Sequence, residues 1–284
     1  MTFRPMLVLL AALAGSTVLP AQEIEKELQQ ESDDYSRLEL GVNDITTPSI
    51  AQILKDFGQF RPIPLDIIAA NPREAVFDNR LQTSLHFGSL VADGFMLTVA
   101  ERPQDIQDVG RALIRQSRAL GVGDRLTKRS KSLFEHSDKG DWQGMREELI
   151  RTQTDVEKSM LDLRDEQMAH MISLGGWLRG FQLAANSCSQ SYTPEKAKIL
   201  GQGEIIDYYV DRLDTLHPRL RKTQFVSTIT AKLKELRAIA TETQGRAPSQ
   251  AEIQQMTELA NGIEAVALGQ VDAEGNIVKS PGAL

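Results

Sequence analysis

From Phe77 to Ile263 the apolar residues of this chain recur at gaps of three and four, a spacing that suits helices and defeats strands. Phe77, Leu81, Leu85, Gly88, Ala92, Phe95 and Val99 open the pattern. Phe87, Leu90, Val91 and Leu97 widen its apolar face, so this helix is expected to be buried on most sides. Asn71-Pro72-Arg73-Glu74 reads as its start, with an Asn cap, Pro at the first position and Glu three residues after the cap.

Pro103 opens the next helix, which carries Ile106, Val109, Leu113 and Leu120 until Gly121-Val122-Gly123 stops it. Asp124 is expected to cap a short helix through Phe134. After Asp141, a further cap, the same period runs through Trp142, Met145, Leu149, Val156, Met160, Leu163, Met171, Leu174, Leu178 and Phe181. Continuous to Leu174, that helix would be about 50 Å long. Gly175-Gly176 is a place for it to bend or end, and Ser187 to Tyr192 reads as a loop.

Thr193-Pro194 starts another helix, with Ile199, Gly203, Ile206, Val210 and Leu213, ended by Pro218. Val226, Ile229, Leu233, Leu236 and Ala240 mark one more, closed by Gly245 and Pro248. Ser249 and Glu252 form a capping box ahead of Ile253, Met256, Leu259 and Ile263. With 41% hydrophobic and 25% charged residues the chain has a folding composition, and its 5% aromatics and scarce alternation leave no sheet signal. The expectation is an all-α protein, either an irregular multi-helix bundle or an α-hairpin, solenoid-like array.

The first 21 residues place the chain in the cell. Arg4 supplies a positive start, Met6 to Ala14 an unbroken aliphatic run, and Gly15, Ser16 and Pro20 a break before a cut after Ala21. That is the outline of a secretory signal peptide, with Leu19 as its one ill-fitting residue. No Cys follows the run, so a lipoprotein anchor is not expected, and the run is short for a membrane span of roughly 20 residues. The organisation then reads as a signal peptide (1–21), a polar lead-in with a Pro-rich connector (22–70), a helical domain (71–270) and a flexible tail (271–284). An exported, soluble protein of the periplasm or the extracellular space is expected, with no transmembrane segment after cleavage.

Net charge is -7, which argues against nucleic acid as a partner. Cys188 is the single cysteine, which excludes an intramolecular disulfide; a buried, inert thiol is favoured over a reactive one. No nucleophile elbow, phosphate-cradling Gly loop, His-Glu-x-x-His or calcium loop occurs, and no motif calls for a cofactor. Of the four histidines, His86 falls in the most apolar helix, where a hydrogen-bonded core residue is favoured over a metal or haem ligand. Glu166 and His170 share a helix face near Asp162 and Asp165, a weak alternative metal cluster against a plain solvated acidic face.

Two local anomalies remain. Arg111, Arg115 and Arg118 line one helix face, and Arg125, Lys128, Arg129 and Lys131 follow, with Asp124 the sole acid between Arg111 and Lys131. Such a strip suits an anionic envelope component or an acidic protein partner. The competing reading is internal neutralisation by Glu147, Glu148, Asp155 and Glu157 on the following helix. The second anomaly is Gly175-Gly176-Trp177-Leu178-Arg179-Gly180, since glycine costs about 1 kcal/mol inside a helix. Close helix approach is favoured there over a bend that would present Trp177 and Arg179 to a ligand. These features together lead to an exported helical protein with a non-catalytic binding or scaffold role in a bacterial-type cell envelope. The alternative is an exported metal- or haem-binding protein or enzyme using His86 or the Glu166/His170 pair.

Overall fold

The computed structural model describes residues 55–279 apart from 202 and 244, so the expected signal peptide and most of the lead-in lie outside the described residues. Eleven helices and one short hairpin make up the described chain. α1 (Leu65–Ala70) precedes a consecutive series, α2 (Arg80–Val99), α3 (Pro103–Ala119), α4 (Gly123–Asp138), α5 (Trp142–Asp162) and α6 (Glu166–Gln190). α7 (Pro194–Leu200), α8 (Gly203–Thr215), α9 (Pro218–Arg221), α10 (Gln224–Glu242) and α11 (Gln250–Ala267) follow, and β1 (Gln270–Val271) pairs antiparallel with β2 (Ile277–Lys279). The result is an all-α helical bundle. No helix among the described residues is long and apolar enough to cross a membrane.

At the centre α2 and α6 lie side by side and run in the same direction. Arg80 pairs with Asp165 at their starts, Ser84 meets Met168, and Asp93 meets Arg179 further along. Their backbones nearly touch. A Cβ at Gly88 would overlap the Ile172 carbonyl oxygen, and one at Gly175 would overlap that of Leu85. Close helix approach, rather than a bend, is therefore the reason for Gly175-Gly176 in α6, with Gly88 and Gly175 at the tightest points. α3, α4 and α5 return the chain from α2 to α6 along one side. α11 packs antiparallel on the other side of α6, where Gln182 donates to Asn261 and Ser189 to Gln254.

Several element boundaries differ from the sequence expectation. α2 is capped by Asn79, whose Oδ1 accepts from the Gln82 amide at 3.1 Å, not by Asn71. The Asn71 side chain is instead drawn into the core by Asp93 and His86, which leaves 71–79 as a non-helical connector. Phe77 therefore stacks edge-on against His86 instead of riding on the helix, with ring centroids 5.0 Å apart. α4 begins at Gly123 after Val122, which places Asp124 inside the helix and not at its cap position.

The long run after Asp141 is two helices. It breaks at Leu163-Arg164-Asp165, where Arg164 takes φ +56° and Leu163, the only apolar residue between Asp162 and Glu166, is exposed. Gly175-Gly176 lies buried within α6, and that helix continues through the expected loop to Gln190, with Cys188 fully buried in its last turn. Pro194 opens only the short α7, with α8 starting anew at Gly203. Pro218 both follows α8 and starts α9.

At the two edges more of the chain is built into the body than expected. Phe57, Phe60 and Ile68 of the connector are core residues. Val271 to Lys279 is not a fraying tail, because the hairpin is fastened to the start of α10 by the Phe225 amide to the Gly275 carbonyl and by the Ile277 amide to Gln224 Oε1, each at 2.9 Å. Gly275 turns the hairpin at φ +88°. The expected caps at Asp141 and Thr193 and the Ser249/Glu252 capping box are all present.

Candidate functional site

The polar centre of the molecule stands on the two helices that bury the most residues. Asp93 interrupts the apolar face of α2 and Arg179 that of α6, and the parallel, glycine-spaced packing of those helices brings them together. Arg179 Nε donates to Asp93 Oδ1 at 2.7 Å, and both side chains are sealed from solvent. Asp93 Oδ2 also accepts from Asn71 Nδ2 at 2.6 Å and from Arg73 at 2.8 Å. The rest of the Arg179 fork reaches Gln182 Oε1 at 2.6 Å, the Ile67 carbonyl at 2.9 Å and, more distantly, Glu264 on α11 at 3.5 Å. Ser89 donates to the same Glu264 oxygen.

Two guanidinium groups thus face two carboxylates, which lets ionised groups persist away from water. Burial pushes the Glu264 carboxyl upward, opposed by Arg179, while nearby Asp93 adds to the rise. Its Oε2 has no hydrogen-bond partner. His86 is held neutral, pushed down to about 4 by burial against the pull of Asp93, with Arg73 and Arg179 repelling its charged form. Its Nε2 meets Asn71 Oδ1 at 3.0 Å, and its Nδ1 has no partner. A protonated imidazole has no place here, and the ring serves as a hydrogen-bonded core residue.

Besides His86, Arg179 is the predicted site residue that the centre contains, and it is turned inward. Trp177 is buried as well, stacked at 5.4 Å on Phe181 and 5.2 Å on Tyr209, so neither of these residues is presented to a ligand.

The basic strip is divided among internal partners. Arg111 pairs with Asp108 on its own helix. Arg115 reaches the connector, donating to Glu74 and to the Arg73 carbonyl. Arg129 bridges Asp155 at 2.7 Å and Glu148 at 3.4 Å on α5, the cross-hairpin neutralisation that the charge pattern offers. Arg118 and Lys131 are exposed, Lys131 lying 3.8 Å from Glu135. The side chains of Arg125 and Lys128 lie outside the described residues.

Glu166 is exposed at the start of α6, whereas His170 one turn on is pushed down to about 4 by burial, with Arg212 adding to the drop. Among the described residues no group of three or more His, Cys, Asp or Glu converges in a geometry that would hold a metal ion. The Cys188 thiol is pushed up by burial and is not poised to react.

Sequence reasoning missed Asp93, Asn71, Arg73 and Glu264. A signal for the first existed: Asp93 and Arg179 are opposite charges, each set among apolar residues of a helix expected to be buried. Sequence reasoning also missed a second polar junction, where Glu157 on α5 accepts from Gln153 at 2.8 Å and burial lifts its carboxyl to about 7. Opposite it on α8, Tyr209 bonds Ser173 of α6 at 3.0 Å, and Arg212 lies over the Tyr208 ring. A cleft of about 300 Å³ opens elsewhere, between α7, α8 and α10, edged by Lys198, Glu204, Arg237 and Arg246. Arg237 grips Asp207 there through both of its fork nitrogens, and Arg246 grips Glu252 likewise. No known protein family, characterised protein or solved structure matches the chain.

Proposed function

We propose that the protein acts after export as a non-catalytic helical binding or scaffold module of a bacterial-type cell envelope. The observation that carries this reading is the Arg179–Asp93–Glu264 centre, in which the strongest charges of the interior join three helices and the connector. Charges used this way hold a body rigid and leave its outer faces to meet a partner. Among the described side chains of the basic strip Arg118 and Lys131 are exposed, and an anionic envelope component or an acidic protein face suits them. Export rests on the charged head, aliphatic run and small-residue break of residues 1–21.

The test is expression with the native leader in an exporting host, followed by intact and native mass spectrometry. The expected result is a chain beginning at Gln22 and carrying no stoichiometric metal or haem. A retained leader would overturn export, and a stoichiometric bound metal or haem would favour a carrier. Reversing both outer charges (Arg118→Glu with Lys131→Glu) is expected to weaken retention on envelope fractions. Unchanged retention would remove the strip from the binding role.

A further inference from the structure

Residues 67–79 cross the helical body as a strap whose attachment is chiefly polar. Ile68, Asn71 and Asn79 are its buried anchors, whereas nothing from Pro72 to Asp78 is fully buried, and Val76 stands 82% exposed. Its fastenings converge on α2, α3 and α6. Asn71 and Arg73 both donate to Asp93 Oδ2, Arg179 donates to the Ile67 carbonyl, and Gln116 donates to the Ala75 carbonyl at 2.8 Å. By contrast α2 buries nearly every residue beneath it. Segments with few buried apolar contacts open at lower free energy than the cores they cover. The two kinds of attachment therefore differ in strength along a line that follows the strap.

We propose that residues 67–79 form a cover that lifts from the helical body as a unit, with Asp93 as its latch, baring a polar chamber formed by His86, Ser89, Asp93 and Arg179. Asp93 suits this role because its Oδ2 accepts from both strap side chains, while Arg179 holds the carboxylate from within the body, through Oδ1 at 2.7 Å and more distantly through Oδ2 at 3.3 Å. Lifting the strap breaks the first set of bonds and leaves the second intact. His86 then loses both Asn71 and the Phe77 ring, its two contacts with the strap.

Trypsin reads the latch directly, because Arg73 is a cleavage site whose side chain is held at Asp93. In Asn71→Ala, which leaves the Arg179–Asp93 pair untouched, the cut after Arg73 is expected to speed up about ten-fold, while amides of α2 and α6 keep their protection from hydrogen exchange. Arg73→Lys, which keeps a cleavage site but shortens the reach to Asp93, gives the same readout should Asn71→Ala fail to fold. Two results would overturn the proposal: cleavage that rises only in step with exchange in α2 and α6, or no acceleration in any variant that folds.

Discussion

Arg179 on α6 donates through Nε to Oδ1 of Asp93 on α2 across 2.7 Å, and the pair sits a turn beyond the Gly88 and Gly175 positions where the two parallel helices come closest. An ion pair in that position does not stabilise by attraction alone, because withdrawing each charge from water costs several kcal/mol. Its consequence is specificity of packing, since either charge without the other is strongly unfavourable there.

Arg179→Met is accordingly expected to cost about 3–5 kcal/mol, the range for breaking a buried pair from one side. The double variant Asp93→Leu/Arg179→Met should cost less than the sum of the two single changes, by about 1–3 kcal/mol. Urea denaturation of the four proteins checks this, and strict additivity would show that the two groups do not act as a pair.

The glycines of the helices divide by what a methyl group would meet. At Gly175 it would run into the Leu85 backbone carbonyl, which cannot give way, so Gly175→Ala is expected to destabilise by about 2–3 kcal/mol. At Gly262 in α11 it would meet the Lys232 Nζ at 3.3 Å, the mobile end of a long side chain. Gly262→Ala should therefore stabilise by about 0.5–1 kcal/mol through helix propensity. Thermal denaturation of both variants checks the contrast in sign.

The helical class and most caps were legible because they are local. Asp141, Thr193 and Ser249 announce themselves within four residues of the amides they bond. What was not legible depended on distant partners. Asn71 has a cap's local sequence but is taken by Asp93, 22 residues away, and the hairpin at 270–279 is held by Gln224. Arg179 drew notice only through its glycine neighbours. Its role follows from pairing two buried helices in parallel, which periodicity on either helix alone does not specify. The basic strip was visible in the sequence and its neutralisation in part, since Arg129 meets Asp155 and Glu148 across a simple hairpin, whereas Arg111 and Arg115 turn to Asp108 and Glu74.

His86 carries a pH dependence with a definite sign. Its folded value lies near 4, below the ordinary 6.5, so between those values the unfolded chain takes up a proton that the fold refuses. Stability falls as the pH drops from about 6.5 to 4 and loses nothing further from this group below that range. A shift of this size corresponds to a loss on the order of 3 kcal/mol. In His86→Gln, which retains a polar group near Asn71, the loss over that window should be visibly smaller in urea titrations at pH 7 and pH 4.5.

Glu157 acts in the opposite direction over almost the same window and offsets part of the loss that His86 and His170 together produce as the pH drops. Burial raises its carboxyl from 4.5 to about 7, against a single favourable bond from Gln153. Between those values the fold holds a proton that the unfolded chain has released, so stability declines as the pH rises from 4.5 and the full penalty is present above 7. Glu157→Gln keeps an oxygen for Gln153 Nε2 and removes the charge. It is expected to gain about 1–2 kcal/mol at pH 8.5 and nothing at pH 4. Melting temperatures of variant and wild type across pH 4 to 8.5 check this, and curves separated by a constant offset would show that the side chain acts through packing and not through its proton.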